Sequence, residues 1–193
     1  MYEPAWRDRL SAALQISGDD PTARFAQLAT VTPDGRPANR TLVFRGFLPE
    51  TDALIFVTDA RSQKAYQLRP NPQAALCWYF TQSRQELRLK GEITLVAADH
   101  ADPHLLSARQ RTWSALSDGV RRQFFWPDPR TPRVDDAAFS VDLPSTEAPP
   151  ENFVLLILHP STVDVLDISQ TPHRRTLYRL RPSGAWTAED VNP

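Results

Sequence analysis

Ser62, Gln63 and Lys64 form a short polar run, and Arg40 and Arg45 bracket the stretch Thr41-Leu42-Val43-Phe44 upstream of it. Residues of these types suit one task above others, the holding of an anion. The apolar run Leu54-Ile55-Phe56-Val57 reads as a strand, and the residues after Thr58-Asp59 are good helix formers. Ser62, Gln63 and Lys64 then fall in the first turn of the predicted helix, where unpaired backbone N–H groups and the helix dipole favour negative charge. Lys64 adds a full charge there, and arginine can grip a phosphate through two parallel N–H donors. Any one of these cations alone reads as a solvated surface residue, because basic charge in this chain is carried by 20 arginines and only two lysines, Lys64 and Lys90. Their combination reads as a phosphate site.

Other chemistries find less support. The only histidines are His100, His104, His159 and His173, and the one pair at helical spacing, His100 and His104, straddles Asp102-Pro103 at a helix start. Their rings need not share a face, so no metal site is expected. No GxSxG nucleophile turn, Walker loop or GxGxxG fingerprint occurs, and the chain has only six glycines with which to build a phosphate cradle. No catalytic residue is singled out. Cys77 lies in the apolar run Ala74 to Phe80 and reads as a small buried hydrophobe.

The elements that must position these residues follow from periodicity. Trp6, Leu10, Ala13 and Leu14 share one face of a helix over residues 5 to 16, closed by Gly18-Asp19-Asp20-Pro21. Phe25 to Val31, the turn Thr32-Pro33-Asp34-Gly35-Arg36 and Arg40 to Arg45 read as a β-hairpin. A third strand over Ala53 to Thr58 runs into a short helix capped by Asp59 and stopped by Asn71-Pro72. Gln73 to Thr81 and Glu86 to Ala97 form an antiparallel pair, the second alternating Leu87, Leu89, Gly91, Ile93 and Leu95 toward one face. Asp102 to Phe125 reads as two helices broken at Ser117-Asp118, with Leu105, Leu106, Trp113 and Leu116 as core residues. Residues 126 to 150 hold six of the 18 prolines and form a long surface excursion. Strands over Phe153 to His159, Thr162 to Ile168, Arg174 to Leu180 and Ala185 to Ala188 complete the chain. So many short antiparallel strands predict a mainly β fold with helices, a β-barrel plus α, since closure removes exposed edges.

Composition bounds the function. With 193 residues the chain suits one domain spanning 1–193, and 41% hydrophobic against 23% charged residues is the mix of a folded globular protein. The balance of 22 basic and 23 acidic residues lacks the field that nucleic acid or an anionic membrane surface would need, so neither is an expected partner. The first ten residues are charged where a secretion signal needs an apolar core, and the longest apolar run, Phe153 to Leu158, is far too short to span a bilayer. A cytoplasmic setting is the expectation.

Several motifs, in this order and spacing, resemble the pyridoxamine 5'-phosphate oxidase-like flavoproteins. They are Arg40-Thr41-Leu42-Val43-Phe44-Arg45, then Phe56 to Leu68, Asn71 to Leu76, and Arg84 to Gly91. The similarity is strong over about residues 25 to 97 and returns at Arg175-Thr176-Leu177-Tyr178 and Trp186 to Pro193. Trp113, Leu116-Ser117-Asp118 and Gln123-Phe124-Phe125-Trp126-Pro127 look most like the uncharacterised cyanobacterial-type branch.

The resemblance implies an FMN-binding split β-barrel that works as a homodimer with FMN at the subunit interface. It implies that Arg40, Thr41, Leu42 and Val43 lie along the flavin, that Thr58, Ser62, Gln63 and Lys64 hold the ribityl phosphate, and that Gln85 reaches the ring. Arg175 would come from the partner subunit, and Arg45 and His173 would face a small-molecule substrate. The chain departs from the oxidases at Gln63, where a second arginine is usual, at Val57, at Leu166, at Thr171 and in its Asp190-Val191-Asn192-Pro193 ending. These departures touch vitamin chemistry more than FMN binding. The implied function is an FMN-dependent oxidoreductase resembling pyridoxamine/pyridoxine 5'-phosphate oxidase. The alternatives are a non-catalytic FMN module for storage, sensing or shuttling, and a flavin-free barrel using Trp113 to Trp126 as an interaction surface.

Overall fold

A computed structural model describes residues 4–144 and 148–193. Within them the chain forms helix α1 (Ala5–Ile16), strands β1 (Phe25–Val31), β2 (Pro37–Val43), β3 (Gly46–Phe47) and β4 (Leu54–Asp59), helix α2 (Gln63–Leu68), and strands β5 (Gln73–Phe80) and β6 (Gln85–Val96). Helices α3 (Pro103–Ser114) and α4 (Asp118–Arg122) follow, then strands β7 (Phe153–Asp167), β8 (Arg174–Leu180) and β9 (Trp186–Val191).

All nine strands join one antiparallel sheet, ordered β2-β1-β5-β6-β7-β4-β3, with β8 and β9 continuing from the far half of β7. β2 and β3 stand at opposite ends of that order, yet only Phe44 and Arg45 separate them in the chain. The sheet must therefore curl until its ends meet. Phe44 N–H donates to the Arg24 carbonyl at the β1 side, and Arg45 N–H donates to Ile55 of β4, which fixes the curl. A curled antiparallel sheet with a few helices is the mainly β fold with helices that was expected.

Alternation along the strands puts Leu76, Trp78 and Phe80 of β5 and Leu87 and Leu89 of β6 inside, where they meet Leu28, Phe44 and Phe56. Phe44 packs edge-on to Trp78 at 5.1 Å between ring centroids. Trp6 on α1 packs against Trp186 of β9 at 5.5 Å, so the first helix seals the barrel against the last strand. The same period of two turns Cys77 outward, where it is half-buried and free, contrary to the expectation of a buried hydrophobe.

The two strands expected around Pro160 are one strand of 15 residues, β7. Lys90 pairs with Thr162 while Gly91 pairs with Pro160, so Ser161 is the extra residue of a bulge that absorbs the missing N–H of proline. Gly91 makes the bulge feasible, because a Cβ there would lie 1.9 Å from the His159 carbonyl oxygen. The predicted helix break at Ser117-Asp118 is observed, and Trp113 and Leu116 are buried, whereas Leu105 and Leu106 are only partly so. Of the proline-rich stretch, residues 126–144 and 148–150 form irregular chain with one 3-10 turn at Asp136–Phe139, and 145–147 lie outside the described residues.

Candidate functional site

The turn between β4 and α2 is the centre of the site. α2 is shorter than expected, and Ser62 occupies its N-cap without capping it. Its hydroxyl lies instead 3.0 Å from Thr58 Oγ1, which also accepts from Lys64 Nζ at 3.1 Å. Asp59, expected as the cap, accepts from Arg61 N–H at 2.7 Å and from the Arg61 guanidinium. One ammonium and two hydroxyls thus converge at a strand end, which agrees with the anion chemistry expected of Thr58, Ser62 and Lys64. A helix of six residues adds little dipole, so Lys64 and the hydroxyls must carry the grip.

Thr41, Leu42, Val43, Arg45, Val57, Thr58, Ser62 and Lys64 line one cavity of about 600 Å3. That volume lies within the range of small-molecule and cofactor sites. Lys64 is held there at a cost: burial lowers its pKa, Arg40 lowers it further, and Asp59 opposes them only in part. Among the described residues no carboxylate forms an ion pair with Lys64 or Arg40. A buried cation in a cavity wall, with a second cation behind it and no ion-paired carboxylate, is an arrangement that suits an anionic ligand.

Arg40 does not line the cavity itself. It shares the inward parity of Leu42 and Phe44, and Thr30 Oγ1 (2.6 Å) and Gln67 Oε1 (2.8 Å) hold its guanidinium behind α2. Arg45 has the opposite parity and stands between the main cavity and a second cleft of about 480 Å3, lining both. Its Nε is buried without a hydrogen-bond partner, and burial and the nearby Arg24 lower its pKa. Arg24 and Arg111 line the second cleft with it. The alternating pattern around Leu42 and Phe44 marked Arg45, but nothing in the sequence brought Arg24 and Arg111 to its side.

Gln63 points to solvent. Gln85, His173 and Arg175 gather elsewhere: Gln85 donates to Asp167 at 3.2 Å, Arg175 pairs with Asp164 at 2.8 Å, and His173 is exposed just before β8. Thr58 pairs with Val154 on β7 and Arg175 with Leu166, twelve residues further along, which is about 40 Å of strand path at about 3.3 Å per residue. Within one chain they do not reach the cavity.

The remaining walls come from a segment expected to be a surface excursion or, up to Trp126, an interaction surface, and not part of a ligand site. Val120, Gln123, Phe124, Trp126 and the run from Pro127 to Val134, with Phe139, enclose the side opposite β2 and β4. Arg61 ties this segment down, donating to Asp128 at 2.7 Å and to the carbonyls of Trp126 and Phe124. Asn152 spans Asp59 and the Phe124 carbonyl at 2.8 and 2.7 Å. The bonds of Arg61 to Asp59 and then to Asp128 raise its pKa against the effect of burial. Arg61 is therefore engaged with the protein and does not stand in for the arginine that Gln63 replaces. Flanking aromatics around closely spaced prolines were the available sequence signal for this wall.

This geometry, a curled antiparallel sheet with a cation-lined cavity where β4 meets α2, is that of a barrel with a site suited to an anionic ligand, and comparison with known proteins gives its class. Residues 3–97 match the family model for the pyridoxamine 5'-phosphate oxidase FMN-binding domain. Pyridoxine/pyridoxamine 5'-phosphate oxidase 2 of Arabidopsis thaliana is 32% identical over 193 residues, covering 97% of this chain and 96% of that protein. The chain belongs to the pyridoxamine 5'-phosphate oxidase-like, FMN-binding family. The pyridoxine/pyridoxamine 5'-phosphate oxidase of Rhodospirillum rubrum is 34% identical over 105 residues, and the match covers 51% of each chain. A crystal structure of a pyridoxamine 5'-phosphate oxidase-related, FMN binding protein from Nostoc punctiforme superposes with a TM-score of 0.97 at 44% identity, each chain covered in full. PhzG from Burkholderia lata, at 22% identity and a TM-score of 0.77, shares the fold. Among the described residues no helix is long and apolar enough to cross a membrane, and no group of three or more His, Cys, Asp or Glu is placed to hold a metal ion.

Proposed function

We propose that the chain folds as one domain, pairs with a second copy, and binds FMN in the 600 Å3 cavity as an oxidoreductase acting on a small anionic substrate. The observation that carries this reading is Lys64, a cation kept in a cavity at a desolvation cost and beside Arg40, with two hydroxyls aimed at the same point. Thr58, Ser62 and Lys64 would hold the flavin phosphate, with Arg40 adding charge from behind and Gln63 at the rim. Thr41, Leu42 and Val43 would lie along the ring system.

Three charge-assisted contacts at about 1.5 to 3 kcal/mol each supply roughly 4.5 to 9 kcal/mol before losses. Micromolar affinity needs about 8 kcal/mol net of the entropy of immobilising the ligand. Burial of the ring between two subunits fills the gap. A second copy would also give a task to Gln85, Arg175 and His173, which lie remote from their own cavity and would serve the cavity of a partner.

Bound FMN supplies two-electron, hydride-accepting chemistry. The chain itself orients the substrate and excludes water. Arg45, with an unpartnered Nε and with Arg24 and Arg111 beside it, would take the anionic group of the substrate. The relatives are named for pyridoxine and pyridoxamine 5'-phosphate, and these phosphate esters are the substrates proposed first. A flavin store, sensor or shuttle is the other reading of the same site.

The visible spectrum of the purified protein tests the cofactor, and the double variant Ser62→Ala, Lys64→Ala tests the site. The variant is expected to lose FMN while its far-UV circular dichroism stays unchanged. A variant that remains yellow would overturn the assignment of the turn. Bound flavin that oxygen reoxidises but that no amine, alcohol or nicotinamide reduces would favour the module over the enzyme.

A further inference from the structure

Gln67 stands on α2 three residues beyond Lys64 and is buried, yet it does not line the cavity. Its Oε1 accepts from Arg40 Nη2 at 2.8 Å and from Thr30 Oγ1 at 2.7 Å, and Thr30 Oγ1 in turn accepts from Arg40 Nη1 at 2.6 Å. This closed triangle pins α2, β1 and β2 at one point, and both lone pairs of the Gln67 oxygen are used in it. The carbonyls of Leu28 and Ala38, at 3.3 and 3.4 Å, are the other acceptors of Arg40 Nη1. Every one of these acceptors is neutral. Arg40 is therefore held firmly while its charge, which an arginine never loses, stays uncancelled. Its field reaches the phosphate turn, since Arg40 lowers the Lys64 pKa.

We infer that Gln67 is a positioning residue of the phosphate site: it fixes the Arg40 guanidinium behind the turn with a neutral acceptor, so that the full charge of Arg40 acts on an anion held by Thr58, Ser62 and Lys64. The inference rests on the reading of that turn as the flavin phosphate site. A phosphate monoester carries about two negative charges at neutral pH, and Lys64 balances one of them. Arg40 supplies the second from behind. A glutamate at position 67 has the same length and could make the same two hydrogen bonds, more strongly because both partners of the Arg40 bond would be charged. It would also cancel the Arg40 charge. An amide keeps the geometry and leaves the charge to the ligand.

The test compares FMN with riboflavin, which has the same ring and ribityl chain and no phosphate, by flavin fluorescence quenching on the full chain freed of bound flavin. Gln67→Glu is expected to weaken FMN at least about tenfold while riboflavin affinity changes less than about threefold. Its far-UV circular dichroism should match that of wild type. Gln67→Met, which keeps an unbranched stem and removes the acceptor, is expected to weaken FMN relative to riboflavin in the same direction. FMN affinity unmoved in Gln67→Glu would overturn the inference, and so would FMN and riboflavin weakened alike, the result of a merely structural role. Should Gln67→Glu not fold, the same two outcomes are decisive in Gln67→Met. Either outcome leaves the phosphate turn standing provided that Ser62→Ala, Lys64→Ala loses FMN. Wild-type protein that binds no FMN, or a double variant that binds it as wild type does, sinks the turn and the role of Gln67 together.

Discussion

Lys64 Nζ donates to Thr58 Oγ1 at 3.1 Å, inside a cavity where no carboxylate among the described residues forms an ion pair with it. Two groups six residues apart meet because β4 ends at Asp59 and the chain turns at once into α2. The ammonium is left half-satisfied, by one neutral hydroxyl.

That state has a pH signature. Burial, then the charge of Arg40, lowers the Lys64 pKa from its ordinary 10.5. The depressed pKa of a cation costs the ligand-free fold stability below that pKa and returns it as the lysine loses its proton. A bound phosphate dianion reverses the preference and draws the proton back. If FMN phosphate is the ligand, its affinity is expected to hold below the ligand-free pKa of Lys64 and to fall as pH rises through it, by up to about tenfold per pH unit. Fluorescence titrations across the alkaline range are expected to show this limb, and Lys64→Arg, whose charge persists, is expected to flatten it.

Mixing two defective variants tests whether subunits share the site. Ser62→Ala, Lys64→Ala lacks the phosphate turn, and Arg175→Ala lacks the remote cation. If the cavity of one copy is completed by Arg175 of another, random reassortment of the two pools restores about one site in four. FMN bound per chain, measured by absorbance after gel filtration, should rise on mixing. No gain would mean that Arg175 serves no neighbouring cavity.

Gly91→Ala is expected to destabilise the barrel. Its Cβ would meet the His159 carbonyl oxygen at 1.9 Å and the Pro160 Cα at 2.9 Å, both backbone and unable to rotate away. Overpacking of this kind costs about 1 to 3 kcal/mol or more, read as a lower midpoint of urea unfolding. Ala at the turn glycine Gly184 meets no atom within 4 Å but carries a positive φ of 83°, a smaller cost of about 1 kcal/mol.

Arg109 is buried on α3, where it donates to Phe153 O at 2.9 Å and Pro150 O at 2.6 Å and so fastens the return of the excursion to β7. Arg109→Met keeps the packing stem and removes the donors. Leaving those carbonyls unpaired is expected to cost about 1 to 3 kcal/mol, with faster proteolytic cleavage between residues 126 and 144.

Much of this protein is local, and what is local could be read without coordinates. The hairpin at Thr32 to Arg36, the alternation of Leu87, Leu89 and Ile93, and the strand-to-helix turn bearing Thr58, Ser62 and Lys64 all arise from contacts within a few residues. Short-range sterics and the two-residue strand period determine them, so composition and order were enough for the mainly β fold and for the turn that carries Ser62 and Lys64.

Tertiary structure decided what depends on residues far apart in the chain. It merged the two strands around Pro160 into one by supplying Gly91 as the partner that tolerates the bulge. It turned Arg40 inward onto Thr30 and Gln67 and left Arg45 between the cavity and the cleft that Arg24 and Arg111 line. It set Gln85 and Arg175 about 40 Å of strand path from Thr58, and it laid the proline-rich segment across the phosphate turn through Arg61. Each of these rests on a meeting of side chains many positions apart, set by the closure of the sheet, and no local propensity encodes such a meeting.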